Sequence, residues 1–147
     1  MKPALIASLL LLASCGRGGT PDIQISDAWA RETVAGQTGT AAYLTITNRG
    51  TADDRLMGIS ATSPIAATIH ETITSNGISS MRPVDNGLQI PAGGSASLRP
   101  GGTHVMISGL MAALREGDTL KLTLRFDRSG DKPVDFKVAS AINEISH

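Results

Sequence analysis

The stretch Leu120-Lys121-Leu122-Thr123-Leu124-Arg125-Phe126 alternates strictly between apolar and polar side chains. Strict alternation is typical of a β-strand with one buried face and one face in water, because successive side chains of a strand point to opposite sides. The turn residues Ser129-Gly130-Asp131 follow, and the apolar positions of residues 134–138 alternate again. This part of the sequence therefore predicts two neighbouring strands joined by a tight connection.

Upstream of this pair, short runs of the same kind recur at intervals of about 8–12 residues, the spacing expected of an all-β sandwich or barrel. Asn-Gly, Gly-Gly and Pro punctuate them, and these residues favour turns. One helical turn is expected at residues 111–114. The predicted strands before it cover residues 23–26, 28–30, 42–47, 56–59, 67–70, 72–74, 78–84, 88–90, 95–98 and 104–107. Residues 22–140 are thus interpreted as a single β-sandwich domain, expected to be a monomer.

Composition excludes several functional classes. The 147 residues carry 13 basic and 13 acidic side chains, and no basic run is present, so no nucleic-acid partner is expected. The sequence has no Ser/His/Asp arrangement at a plausible spacing, no obvious carboxylate pair and no phosphate-binding loop, so an enzyme is not expected.

The N-terminus is interpreted as a targeting signal. Lys2 precedes an apolar run of about ten residues, which is shorter than the ~20 needed to cross a bilayer. The run ends at Leu12-Ala13-Ser14-Cys15, which resembles a bacterial lipobox, and Cys15 is the only cysteine. Residues 1–14 are therefore expected to be a lipoprotein signal peptide, Cys15 the lipidation site, residues 15–21 a flexible tether and residues 141–147 a loose tail. The alternative is an ordinary secretory signal. Gly16 favours an outer-membrane anchor facing the periplasm.

Four residues form a candidate metal site: His70, Met81, His104 and Met106. Ten residues separate His70 from Met81, and 22 separate Met81 from the His-x-Met pair. Imidazole and thioether together favour Cu(I) over Zn²⁺, Ca²⁺ or Mg²⁺. Side chains two apart on a strand share a face, so His104 and Met106 could reach one ion. The other interpretation is that the methionines fill the core and the histidines are hydrogen bonded.

The remaining residues of interest give weaker indications of function. Without a cysteine thiolate the domain has no blue-copper centre, which favours carrying copper over electron transfer. Glu71 is either a hydrogen-bonding partner of His70 or a solvated side chain. Trp29 and Tyr43 are expected in the core, where Met57 and Met111 are expected to pack as well.

Several motifs stand out between residues 23 and 138. They are Asp27-Ala28-Trp29-Ala30-Arg31, Ala41-Ala42-Tyr43-Leu44-Thr45-Ile46-Thr47-Asn48, Asp53-Asp54-Arg55-Leu56, Ile69-His70-Glu71-Thr72, Ser80-Met81-Arg82, Ile90-Pro91-Ala92-Gly93-Gly94 and Leu98-Arg99-Pro100-Gly101-Gly102-Thr103-His104-Val105-Met106. Together they resemble the periplasmic copper chaperones called PCuAC, over nearly all of residues 23–138. The spacing between Met81 and the His-x-Met pair is one residue longer than the family's usual spacing.

The resemblance implies a cupredoxin-like Greek-key β-sandwich that binds one Cu(I) through His70, Met81, His104 and Met106. It also implies a copper chaperone of the periplasm that delivers copper toward the copper-A centre of cytochrome c oxidase, or to another copper chaperone. Some members carry a second, Cu(II)-binding tail, whereas this chain has only His147 there. Two alternatives stay open: a copper-scavenging or copper-resistance lipoprotein without an oxidase partner, and a metal-free structural sandwich.

Overall fold

The computed structural model describes residues 18–140, and these residues form ten β-strands and no helix. The predicted signal peptide, Cys15 and the predicted tail lie outside the described residues. The strands are β1 (Ile23–Arg31), β2 (Gly39–Asn48), β3 (Asp54–Ser60), β4 (Ala66–Ser75), β5 (Ile78–Pro83), β6 (Leu88–Ile90), β7 (Ser95–Leu98), β8 (Thr103–Ser108), β9 (Thr119–Phe126) and β10 (Gly130–Ala139). The predicted all-β class is confirmed, and no helix in the described part is long and apolar enough to span a membrane.

The helical turn expected at residues 111–114 is wrong. The backbone N–H of Leu110 donates to the carbonyl of Thr38, and the N–H of Leu114 donates to the hydroxyl of Thr33. One backbone donor just before this segment and one at its last residue therefore bond to the β1–β2 loop, and these bonds replace the local bonds of a helix. Met111 is 85% exposed and Met57 is 48% exposed, so the expectation that both pack in the core is also wrong.

The strands follow the order β5-β4-β8-β2-β1-β10-β9-β3-β6, with β7 also paired to β2. Only β1 and β10 pair in parallel among the described strands. One edge of β2 pairs with β8 over residues 39–42 and with β7 over residues 44–47. This division lets the sheet fold over, so that β3 contacts β4 and β6 contacts β7.

The core lies between these layers and consists mainly of aliphatic side chains. On β9 every second residue is buried, as the alternation of its sequence predicts. Complete burial of a side chain of this kind stabilises the fold by about 1.5–3 kcal/mol. The fully buried large side chains include Phe136, Leu44, Ile46, Leu56, Ile90, Ile107, Leu122, Leu124 and Val105.

One end of the sandwich, which we call the base, is held together by two buried polar side chains. The base comprises residues 48–54 and the β9–β10 turn at 127–129. Asn48 is completely buried, and its amide makes four hydrogen bonds. The Asp54 carboxylate accepts hydrogen bonds from the backbone N–H groups of Arg55, Arg128 and Ser129 and from the Ser129 hydroxyl. These contacts connect turns that are distant in sequence.

The hydrogen bonds to Asp54 control its ionisation. Burial acts to raise the pKa of this carboxyl, but the bonds from Ser129, Arg128 and Arg55 outweigh burial and lower the pKa below its usual value of 3.8. The charged form is therefore stabilised by folding. This contribution is present above pH 3.8 and is lost as the pH falls through the lower pKa of the folded state.

Replacement Asp54→Asn is expected to lower the free energy of unfolding at pH 7 by about 3 kcal/mol, since hydrogen bonds to a charged group contribute about 1.5–3 kcal/mol. Urea unfolding at pH 7 and pH 3 should show a smaller difference between parent and variant at pH 3, because the unfolded chain binds a proton at Asp54 below the usual pKa of 3.8. Asp53→Asn is the matched control, because an amide oxygen at position 53 can still accept the N–H of Ala92. Equal losses at both pH values would contradict the prediction.

Candidate metal centre

The four predicted ligands lie on one face of the three neighbouring strands β5, β4 and β8. In the β4–β8 ladder His70 is directly opposite His104, and Thr68 is opposite Met106. Thr68 and His70 are two residues apart and share a face, so His70, His104 and Met106 lie together. The opposite face carries the buried pair Ile69 and Val105 and packs on the core. The candidate ligands therefore lie on the outer face of the sheet.

Met81 joins this face from the edge strand. It is opposite Thr72 in the β4–β5 hairpin, and Thr72 lies two residues beyond His70. Met81 is therefore diagonal to His70 on the same face, a separation of about 7–8 Å between backbones that a long side chain can span. Its side chain is 58% exposed. The four residues therefore lie on a sheet face beside the β5 edge.

His104 is held in a defined tautomer. Its ring is 5% exposed, and its Nδ1 lies 3.0 Å from the carbonyl oxygen of Gly102. A carbonyl only accepts hydrogen bonds, so Nδ1 carries the proton and Nε2 keeps its lone pair. Metal-binding histidines are oriented in this way by a carbonyl on the other ring nitrogen. Gly102 was not among the predicted site residues, although the Gly101-Gly102 turn directly before His104 was visible in the sequence.

His70 presents a nitrogen without a partner. Within residues 18–140 its Nδ1 is buried and has no hydrogen bond. A buried polar atom without a partner costs free energy unless it binds something, so this nitrogen is an available ligand. The ring centroids of His70 and His104 are 6.1 Å apart and tilted by 49°. Imidazole–metal bonds of about 2 Å, as in zinc sites, allow two rings at this separation to share one ion.

The donors fit a soft metal ion. In the described part of the chain no three His, Cys, Asp or Glu side chains are grouped as a metal site would require, and the two imidazoles are accompanied by the thioethers of Met106 and Met81. Thioether sulfur is uncharged and polarizable and favours Cu(I). The residues thus have the chemistry of a Cu(I) site and lack the oxygen ligands that Ca²⁺ and Mg²⁺ prefer.

Glu71 does not orient His70. Its carboxylate pairs across the hairpin with Arg82, with a nitrogen–oxygen distance of 3.1 Å, and it points to the face opposite His70. Both side chains are substantially exposed, so the pair contributes little to stability. Of the two interpretations of Glu71, the structure favours the solvated one.

Trp29 and Tyr43 border the same outer face. They are cross-strand partners on β1 and β2, with ring centroids 4.6 Å apart. Tyr43 lies two residues beyond Ala41, which is opposite Met106, so the two aromatic rings lie on the side of the sheet that carries the candidate ligands. Tyr43 is buried as expected, whereas Trp29 is only partly buried.

Comparison with solved structures defines the class of protein. The chain is similar to the copper-bound PCuAC domain from PmoF2, with a TM-score of 0.66 and 22% identity over 80% of this chain and 92% of that one. It is also similar to CuI-DR1885 from Deinococcus radiodurans, with a TM-score of 0.58 and 31% identity over 80% of each chain. The cupredoxin-like β fold and the resemblance to PCuAC domains are confirmed.

The chain belongs to the family described as "Putative lipoprotein LpqE-like", whose model matches residues 23–138. Among curated proteins it is 37% identical over 112 residues to "Putative lipoprotein Lxx21020" from Leifsonia xyli subsp. xyli. This match covers 76% of the chain and 66% of the relative, so the chain spans slightly less than two thirds of that protein's length.

Proposed function

We propose that this protein is a copper chaperone that binds one Cu(I) through His70, Met81, His104 and Met106. The observation that carries the proposal is the opposed pair His70 and His104, with one imidazole fixed by Gly102 and the other holding a buried nitrogen free. The names of the similar structures support it, since two of them are described as copper-bound and as CuI-DR1885.

The four ligands suit a protein that carries copper to a partner better than one that catalyses a reaction at the copper ion. Four neutral donors leave the +1 charge of Cu(I) uncompensated, and two of them are thioethers, which bind less strongly than thiolates. A partner site with thiolates could therefore remove the ion. We infer a carrier and not an enzyme. Its recipient is proposed to be the copper-A centre of cytochrome c oxidase or another copper chaperone; storage or scavenging of copper is the alternative that the same site would serve.

Anaerobic titration of the protein with Cu(I) against a competing chelator tests the proposal. One equivalent should bind tightly, and X-ray absorption should show both nitrogen and sulfur neighbours around copper. A spectrum with only nitrogen and oxygen neighbours would remove the methionines from the site. Tight binding that persists after all four residues are replaced would refute the proposed site altogether.

We further propose that the protein is anchored to a membrane through Cys15 and faces the periplasm, with the outer membrane favoured by Gly16 where a cell has one. The lipobox-like sequence and the family's description as lipoproteins support the anchor. A diacylglyceryl group supplies two chains, and two hydrophobic signals make attachment stable.

The variant Cys15→Ser tests the anchor. Cell fractionation should find the parent in the membrane pellet, whereas the serine variant should be neither acylated nor processed. A parent protein found entirely in the soluble periplasm would contradict the anchor and leave the copper site unaffected.

A further inference from the structure

Residues Gly19–Asp22, which we call the strap, are bound to the base. The N–H of Arg49 donates to the carbonyl of Asp22 at 2.8 Å, and the N–H of Thr51 donates to the carbonyl of Thr20 at 3.0 Å. The N–H of Asp22 donates to the side chain of Asn48. The strap thus continues β1 past the end of its ladder with β2. Residues 19–21 were expected to belong to a flexible tether, and the structure places them against the domain instead.

Side-chain packing fixes the strap further. The guanidinium of Arg128 donates to the carbonyl of Gly19 at 3.0 Å and reaches the carbonyl of Asp53 at 3.5 Å. The backbone of Arg128 is itself held by the Asp54 carboxylate. Gly50 lies so close that a Cβ there would collide with the Thr20 carbonyl and the Asp22 nitrogen. The strap therefore fits against the base at two points. At Gly50 the absence of a side chain leaves room for it, and at Arg128 the guanidinium binds the carbonyl of Gly19.

The strap shortens the flexible part of the connection to the proposed lipid. Ile23 is eight positions after Cys15, a maximum reach of about 28 Å, whereas Gly19 is only four positions after it, a reach of about 14 Å. The candidate metal face lies farther up the sandwich. His104 is next to Val105, which pairs with Ala42. Ala42 is six positions, about 20 Å, from Asn48 at the base. The strap itself, extended from Gly19 to Ile23 opposite Asn48, adds about 13 Å, so the face is at most about 47 Å from Cys15.

We propose that the strap is a positioning element that holds the base toward the membrane and keeps the candidate metal face at a restricted height above it. This inference rests on the proposed anchor at Cys15. It implies that the copper partner is a protein attached to the same membrane, with its site at a matching height. A tether whose length matches the span to its target gives the highest effective concentration, and a longer tether lowers it.

Trp29 is the only tryptophan in the sequence, so energy transfer from its fluorescence to a dye on the membrane reports the height of the domain above the membrane. The acylated protein is inserted into phosphatidylcholine vesicles that contain a dansyl-headgroup lipid, and energy transfer from Trp29 is measured without copper. Release of the strap by Arg128→Ala or Gly50→Ala frees residues 19–22 to move relative to the base and should change the transfer efficiency at least twofold. Arg49→Ala is the matched control: it removes an arginine from the same base but keeps the backbone bond to Asp22, so its efficiency should equal the parent's.

Amide hydrogen exchange on the same samples checks the mechanism, since the N–H of Thr51 should lose its protection only in the two strap variants. Equal transfer in the parent and both strap variants would overturn the proposal. Mass spectrometry of the Cys15 peptide shows whether the lipid is attached, so a failure of the proposed anchor is distinguished from a failure of the strap proposal. If natural acylation is absent, the Cys15 thiol is coupled to a maleimide lipid and the strap is tested in the same way.

The partner's location is tested with two copper acceptors. A Cu(I) chelator linked to a lipid headgroup in the same vesicle should receive copper more slowly after Arg128→Ala, by a factor of about two or more, because the effective concentration falls. The same chelator free in solution should receive copper at the parent's rate. A slowing that is equal for both chelators would overturn the inferred membrane-held partner.

Discussion

Replacement of His104 by alanine is expected to lower the affinity for Cu(I) by more than about 100-fold. Loss of a group that only orients a ligand typically costs 10–100-fold, and removal of the ligand itself should cost more. His104 is the most buried of the four candidates, and its Nε2 is the nitrogen that the bond to Gly102 leaves free. Anaerobic competition with a chelator measures the change.

The methionines offer a closely matched comparison. Met81 is 58% exposed and Met57 is 48% exposed, so leucine at either position should change stability little. Only Met81 lies on the face of His70 and His104, and Met81→Leu alone should weaken Cu(I) binding. Glu71→Ala should have no effect, because the carboxylate pairs with Arg82 on the opposite face. Equal affinities for Met81→Leu and Met57→Leu would remove Met81 from the site.

Strand periodicity predicted the fold class because β-sheet burial repeats every two residues, as in residues 120–126. It failed at residues 111–114, where a short apolar run has the composition of a helix. There the decisive contacts come from Thr33 and Thr38 on a distant loop. The local sequence does not encode those contacts, so the misprediction has a tertiary cause.

The candidate site was partly visible in the sequence for the same reason. His-x-Met on a strand fixes a shared face, and the Asn76-Gly77 turn set the β4–β5 hairpin that brings in Met81. The pairing of β4 with β8 was not readable, because nothing near His70 specifies its register with His104, 34 positions away. The burial of His104 and the role of the Gly102 carbonyl follow from that pairing and from the turn before β8.

The strap was missed because composition misleads at residues 19–21. Glycine-rich sequence is usually a flexible linker, yet Gly19 accepts a hydrogen bond from Arg128, and a Cβ there would collide with Thr51. In this case the glycine allows close approach, and only the structure distinguishes that use from flexibility.

The second large effect is expected at Asn48, where aspartate should lower the free energy of unfolding by about 3–5 kcal/mol. The amide oxygen of Asn48 accepts the N–H groups of Asp22 and Gly50, and its nitrogen donates to the carbonyls of Ala52 and Ile90. Aspartate keeps the two acceptor contacts but sets a second oxygen against two carbonyls. The repulsion and the buried charge act together, since the side chain is completely buried.

Such a loss is a large fraction of the 5–15 kcal/mol of a typical domain, so the variant should unfold at markedly lower urea concentration than the parent. Asn76→Asp is the matched control: Asn76 is exposed in the β4–β5 turn with φ at 52°, a conformation that aspartate also tolerates. It should change the midpoint hardly at all. If Asn48→Asp lowered the free energy of unfolding by less than about 1 kcal/mol, the four hydrogen bonds would not be holding the base together. The binding of the strap to the base would then need another explanation.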